Sequence, residues 1–89
     1  MISHTTERFR KAFIVLPKNV QQQAKDTYKR FTKDPFSPSL RFKRVHSTKP
    51  IYSVRINVEC RAVGIQEENK IIWFWIGSHD HYIKLLDRL

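Results

Sequence analysis

Residues Ser78 to Tyr82 place a serine, two histidines, an aspartate and a tyrosine in five positions, directly after an apolar run that stops at Gly77. Histidine takes or gives a proton near neutral pH, and a tyrosine hydroxyl beside cations can donate one. His79, His81 and Tyr82 therefore form an acid–base cluster. A second set carries charge: Arg41, Lys43, Arg55 and Arg61. Guanidinium groups bind phosphate in bidentate geometry, and lysine binds it as a point charge. The two sets together suit cleavage of RNA by the chain's own groups, with no cofactor. A base activates the 2′-hydroxyl, an acid protonates the leaving oxygen, and arginines stabilise the phosphorane-like transition state.

Each residue has a plainer structural reading. His79 serves equally well as a turn or helix-capping residue, and His81 as an exposed helix residue. Tyr82 shares a helical face with Leu85 and Leu86, at i+3 and i+4. His79-x-His81 has metal-pair spacing, but no second cluster of Cys, His or carboxylates completes a site. Cys60 reads as a small core residue. Trp73, Phe74 and Trp75 read as core, and Lys11, Lys18, Lys25 and Lys29 as solvated helix faces.

The elements that must position these groups follow from hydrophobic period. Thr5 to Leu16 carries Phe9, Ala12, Phe13 and Leu16, the stripe of an amphipathic helix, with Thr5 or Thr6 as its cap. Pro17 ends it. From 17 to 32, Val20, Ala24, Tyr28 and Phe31 lie on one helical face, so the two segments form a helical hairpin. KDPFSPS, residues 33–39, is a loop. The period then becomes two. Leu40 and Phe42 alternate with Arg41 and Lys43, and Tyr52, Val54 and Ile56 with Ser53, Arg55 and Asn57. A third strand covers Cys60 to Gln66. KIIWFWI, residues 70–76, is apolar on both faces and reads as a central strand covered on both sides. A short helix follows from His79.

A turn centred on Val58 sets Arg55 opposite Arg61 and Ser53 opposite Val63, with Val54 and Ile56 on the other face beside Ala62 and Cys60. Two arginines side by side are unfavourable unless something negative lies between them, a phosphate or a carboxylate such as Glu59. The expected fold class is α+β: an N-terminal helical hairpin packed on a four-stranded, mainly antiparallel twisted sheet, with a short C-terminal helix.

With 89 residues, the chain is expected to form a single domain over residues 1–89. Seventeen Lys and Arg against eight Asp and Glu give +9, which on so small a surface calls for a polyanionic partner, a nucleic acid or an acidic protein. No apolar run approaches a membrane span, and the first thirty residues do not read as a signal peptide. The single cysteine suits a reducing compartment, so a cytoplasmic location is expected.

The runs LPKNVQQQAKDTYKRFTKDPFSPSLRFKRV, IYSVRINVECRAVGI and WFWIGSHDHYIKLL resemble the RelE/ParE superfamily of toxins from bacterial type II toxin–antitoxin modules. The resemblance covers roughly residues 5 to 87. It implies two N-terminal helices, a twisted sheet and a C-terminal segment that can be helical. In RelE-like members, basic residues on the sheet and a C-terminal His or Tyr act on mRNA in the ribosome. By position, Arg55 and Arg61 match the hairpin arginines, Lys43 the basic residue of the first strand, and His79 with Tyr82 the SH..Y element. The resemblance thus implies His79 as general base or acid, Tyr82 as its partner or a substrate orienter, and Arg61 with Arg55 as phosphate clamps. Arg41 and His81 rank as further substrate contacts.

Two features depart from the family pattern. The hairpin turn usually holds a glycine and an aromatic before the second arginine; here it reads NVEC, with Cys60 at the aromatic position. The lysine-rich set of the most active RelE-like enzymes is also missing. The leading expectation is an mRNA endonuclease that acts on the ribosome and is neutralised by an acidic antitoxin. The alternatives are a non-enzymatic ParE-like inhibitor of DNA gyrase, which needs no poised His and Tyr, and a catalytically decayed antitoxin-binding module.

Overall fold

The sheet has one strand more than the alternation pattern announces. The computed structural model describes all residues, Met1–Leu89. Its elements are β1 (Ile2–Thr5), α1 (Glu7–Ile14), α2 (Lys18–Lys33), a 3-10 turn (Pro38–Leu40), β2 (Lys43–Arg44), β3 (Ile51–Asn57), β4 (Cys60–Glu67), β5 (Lys70–Ser78) and α3 (His79–Arg88). The strand order is β1-β5-β4-β3-β2. β1 runs parallel to β5, from Ile2 beside Lys70 to Thr5 beside Trp73, and all other pairings are antiparallel. The α+β class and helix placement hold, with a five-stranded mixed sheet in place of four strands. β5 is an interior strand because β1 flanks it; the middle strand is β4.

Thr6, rather than Thr5, caps α1: its Oγ1 accepts from Phe9 N at 3.1 Å. That helix ends at Ile14, short of Leu16. Pro17 disfavours helical backbone at Leu16, and Gln21 Nε2 caps the carbonyls left free, donating to Ile14 O (3.2 Å) and Leu16 O (2.9 Å). The buried stripe of α2 is Gln21, Ala24, Thr27 and Phe31. Tyr28, expected on that face, is 50% exposed. The segment 40–43 is a strand only from Lys43; Leu40 belongs to the 3-10 turn and is fully buried, and Arg41 has a left-handed φ of 48°.

α1 packs on β5 and α2 on β3, covering one face of the sheet. The core there contains Ala24, Phe31, Leu40, Val54, Ala62, Ile71, Trp73 and Ile76. Phe31 meets Phe42 and Trp73 edge-on at 5.0 and 5.4 Å between ring centroids. α3 covers part of the opposite face, where Tyr82, Leu85 and Leu86 join Ile51, Val63 and Trp75.

Two irregularities set which side chains face which way. The β4–β5 register shifts between Val63 and Gly64, so that Val63 pairs with Trp75 and Gly64 with Trp73. Phe74 is the extra residue, a β-bulge. It lets Phe74 and Trp75 join the α3 side while Trp73 and Ile76 face the helices. Gly64 is required at this crossing, because a Cβ there would lie 2.9 Å from the Trp73 ring. A second shift falls between Arg55 and Asn57, making Ile56 a bulge in β3.

No helix is long and apolar enough to cross a membrane.

Candidate functional site

The face that α3 leaves open carries the cations. β3 and β4 pair Arg55 with Arg61, Ser53 with Val63 and Val54 with Ala62, the pairs expected of a turn centred on Val58. The turn itself differs by half a step. Asn57, not Ile56, pairs with Cys60, and the Ile56 bulge restores the arginine register. No residue of this turn has positive φ, so it forms without glycine. Lys43 pairs with Ser53 from β2. Arg41 arrives from the end of the 3-10 turn in its left-handed conformation, which for a non-glycine residue stores strain. β5 brings the chain end to the same place, with Gly77 beside Arg61 and Ser78 beside Cys60. Arg41, Lys43, Ser53, Arg55, Arg61, His79 and Tyr82 line one small cavity of about 90 Å³.

α3 is fixed at both ends. At its start the Ser78 Oγ accepts from His81 N at 3.3 Å, an N-cap, and lies 3.1 Å from His81 Nδ1. His81 is thus held at the cap, exposed, and outside the cavity. The structure does not bring it to the cation cluster, because successive residues on a helix point about 100° apart. His79 N donates to Glu59 O at 2.7 Å, tying the helix start to the β3–β4 turn. The His79 ring lies 5.7 Å from the Tyr82 ring. Tyr82 is 5% exposed, and its hydroxyl donates to Ser53 Oγ at 3.0 Å. Tyr82 therefore both packs α3 and presents a hydrogen-bonded hydroxyl in the cavity wall. At the far end, His46 Nε2 lies 2.8 Å from Leu89 O. His46 Nδ1 accepts from Lys49 N at 2.9 Å and Thr48 N at 3.1 Å, which makes Nε2 the donor.

Ser53 and His46 did not stand out in the sequence. Ser53 had one signal: it lies two residues before Arg55 in β3, hence on the same face. His46 had none, since its partner is forty-three positions away.

The electrostatics of the cavity are one-sided. Both ion pairs in the chain lie elsewhere, Lys11 with Glu7 at 3.2 Å and Lys70 with Glu67 at 3.7 Å. Glu59 does not neutralise the arginines; it contributes its backbone. Arg61 Nη1 donates to the carbonyls of Asn57 and, at 3.1 Å, Cys60. Burial, then the charge of Arg55, lowers the Arg61 pKa; Tyr82 opposes this and Arg41 adds to it. The group remains a cation at neutral pH. Burial pushes the Cys60 thiol up to about 11, against smaller opposing effects of Arg61 and a hydrogen bond to the Gly77 backbone. At neutral pH that thiol is protonated and a poor nucleophile. No group of three or more His, Cys, Asp or Glu side chains is arranged to hold a metal ion.

The other face has a different opening. Between α1, α2 and the sheet runs an apolar cleft of about 580 Å³, with Phe9 and Phe13 on one wall and Tyr28 and Phe31 on the other. Val54, Ala62 and Trp73 form its floor, and Lys25 and Lys29 stand at its border.

The chain belongs to the ParE-like toxin domain family, and so to the RelE/ParE superfamily of toxins: that family's model matches residues 18–84. The matched span begins with α2 and includes every residue that lines the cationic cavity. No curated protein sequence matches the chain. Among solved structures, it is similar to a chain of the RelB–RelE antitoxin–toxin complex from Methanococcus jannaschii, with a TM-score of 0.75 and 12% identity over 92% of this chain and 96% of that one. YafQ from Escherichia coli BL21(DE3) gives 0.72 and 9%, covering 90% and 94%. The YoeB dimer from Staphylococcus aureus gives 0.71 and 17%, covering 89% and 97%. At such identities the likeness is one of fold.

Proposed function

We propose that this toxin is an endoribonuclease that cuts mRNA on the ribosome in the cytoplasm and is neutralised by an acidic antitoxin. One observation carries the reading. Arg41, Lys43, Arg55 and Arg61 converge, unpaired with any carboxylate, on a cavity that His79 and Tyr82 also line. Like charges brought together in a fold disfavour it unless an anion joins them. A phosphodiester supplies that anion.

In the proposed reaction the RNA 2′-oxygen loses its proton to a base and attacks the adjacent phosphorus. The bond to the 5′-oxygen breaks, and that oxygen takes a proton. In this reading His79 moves the proton, which its position in the cavity lining beside Tyr82 supports. Tyr82, with its hydroxyl already on Ser53, fits the orienting role better than the acid role. Arg55 and Arg61 hold the phosphate and stabilise the extra charge of the transition state. Lys43 and Arg41 extend the phosphate-binding surface. Contacts of this kind position a substrate without reading its sequence.

The antitoxin is inferred from the +9 charge, from the apolar cleft with its lysine border, and from the family. In the Methanococcus jannaschii relative, a RelE toxin is complexed with a RelB antitoxin. An acidic amphipathic helix suits the cleft here.

The test is primer extension on a defined mRNA in a purified translation system, comparing wild type with His79→Ala and Tyr82→Phe combined. Ribosome-dependent cuts that vanish in the variant support the reading. A second reading, inhibition of DNA gyrase without chemistry, is favoured by the ParE-like description of the matching family. Intact mRNA in cells that the wild type still arrests, with toxicity that survives His79→Ala, would replace the first reading by the second.

A further inference from the structure

The β3–β4 turn links α2, on one face of the sheet, to Arg61 and His79 of the cationic site on the other. Val58 and Glu59 form it, between the paired residues Asn57 and Cys60. Asn57 Nδ2 donates to Gln23 Oε1 of α2 at 2.6 Å. Asn57 Oδ1 accepts from Glu59 N at 2.8 Å and so shapes the turn from within. The Asn57 carbonyl accepts from Arg61 Nη1. The Glu59 carbonyl accepts from His79 N at 2.7 Å. Arg61 Nη1 also donates to Val58 O at 3.4 Å and Cys60 O at 3.1 Å, so Arg61 and His79 both take their positions from one short turn and its edge, and the Asn57 side chain braces that turn.

Asparagine suits this place. It offers an acceptor for the Glu59 amide and a donor for Gln23 at one chain length. Alanine offers neither. Aspartate keeps the acceptor, and its second oxygen can accept from Gln23 once the glutamine amide turns over. The Ile56 bulge is adjacent, and bulges re-aim the side chains beside them.

We propose that Asn57 is a positioning residue of this site, braced by Gln23, and that the pair sets the placement of the Arg61 guanidinium relative to His79. The proposal rests on the nuclease reading for its effect on rate. Displacing a catalytic group by about 1 Å costs on the order of 100-fold in rate. An anchored Arg61 also keeps its remaining N–H groups directed at a phosphate without ordering them anew.

The experiment compares full-length wild type, Asn57→Ala, Gln23→Ala and Asn57→Asp in two ways. The first is single-turnover cleavage of ribosome-bound mRNA. Asn57→Ala is expected to lower the rate constant roughly 10- to 100-fold at saturating ribosomes, with the half-saturating concentration little changed. Gln23→Ala should lower it several-fold, and Asn57→Asp should stay near wild type. The second readout needs no cleavage. Proton exchange of the Arg61 side chain and the His79 amide is followed by NMR, together with the melting temperature. Both protons should be protected in wild type and in Asn57→Asp, and exposed in Asn57→Ala while the fold persists.

Wild-type rates and protection in Asn57→Ala would overturn the proposal. So would a collapse of melting temperature that Asn57→Asp fails to repair, since that marks a purely structural residue. If the wild type does not cut mRNA on ribosomes, the nuclease reading falls, and the NMR comparison still decides whether Asn57 places Arg61 and His79.

Discussion

The two faces of this sheet are built on opposite terms. Under α1 and α2 the side chains are apolar, part of them closed into a core that no charged group enters and part left open as the cleft between the helices. On the other face α3 covers only part of the sheet, and beyond Tyr82 three strand cations and Arg41 from the adjoining loop gather with no acid among them. The first face lowers the free energy of the fold. The second is held in place by it, against the repulsion of Arg55 and Arg61. A site that gathers like charge needs a rigid support, and here the support is the reverse side of the same strands.

The sharpest way to break this contrast is at the core. Phe31, 2% exposed, stands between Phe42 and Trp73. Phe31→Ala should lose about 3–5 kcal/mol in urea unfolding, much of what a domain of this size has. A loss under 1 kcal/mol would mean that the helix side does not carry the fold.

Arg55→Ala should do the reverse. Stability should hold or rise slightly once the pair with Arg61 is relieved. Cleavage of ribosome-bound mRNA should fall about 100-fold, and the slope of log affinity against log salt should shrink by about 1. Destabilisation instead would show that the cation has a structural role.

Cys60 lies between the two regimes, buried among apolar neighbours and next to Arg61 in sequence. Its folded pKa is raised from 9.0 to about 11. Its contribution to stability is complete below pH 9. It is lost as pH rises towards 11, because the unfolded thiol ionises first. That loss is about 2–3 kcal/mol at most. Urea midpoints measured from pH 8 to 11 should therefore slope less in Cys60→Ala than in wild type.

Tyr82→Phe gives the smallest change. It removes the hydroxyl donated to Ser53 and should cost about 1 kcal/mol, read as a modest fall in melting temperature. Its effect on cleavage should be smaller than that of His79→Ala. Equal effects would move Tyr82 from orienting the substrate to transferring a proton.

Much of the site was legible before the structure. Arg55 and Arg61 are paired as a turn centred on Val58 would pair them, although the turn itself is displaced and the Ile56 bulge makes up the difference. Lys43, His79 and Tyr82 followed from period and order. What was not legible has identifiable causes. β1 is four residues long and takes its only partner from β5, so no local pattern marks it. Arg41 was read as a strand residue because alternation through Leu40 and Phe42 cannot reveal a left-handed φ. Tyr28 was placed inside by its helical face, but the cleft leaves that position open. The bulges at Ile56 and Phe74 break the period-two rule that a sequence reading relies on.

By itself the sequence determined the charge of this protein, the order of its three helices and of the strands between α2 and α3, and the alternation of faces wherever no bulge interrupts it. These are local properties, set by side-chain chemistry and by backbone periods of 3.6 and 2. Only the tertiary structure decided that Arg41 joins the cluster, that His81 stays out of it, and that Ser53 meets Tyr82. Those outcomes depend on bulges, a left-handed residue and hydrogen bonds between distant segments. Their energies are small and their partners far apart in the chain, so no single stretch of sequence contains them.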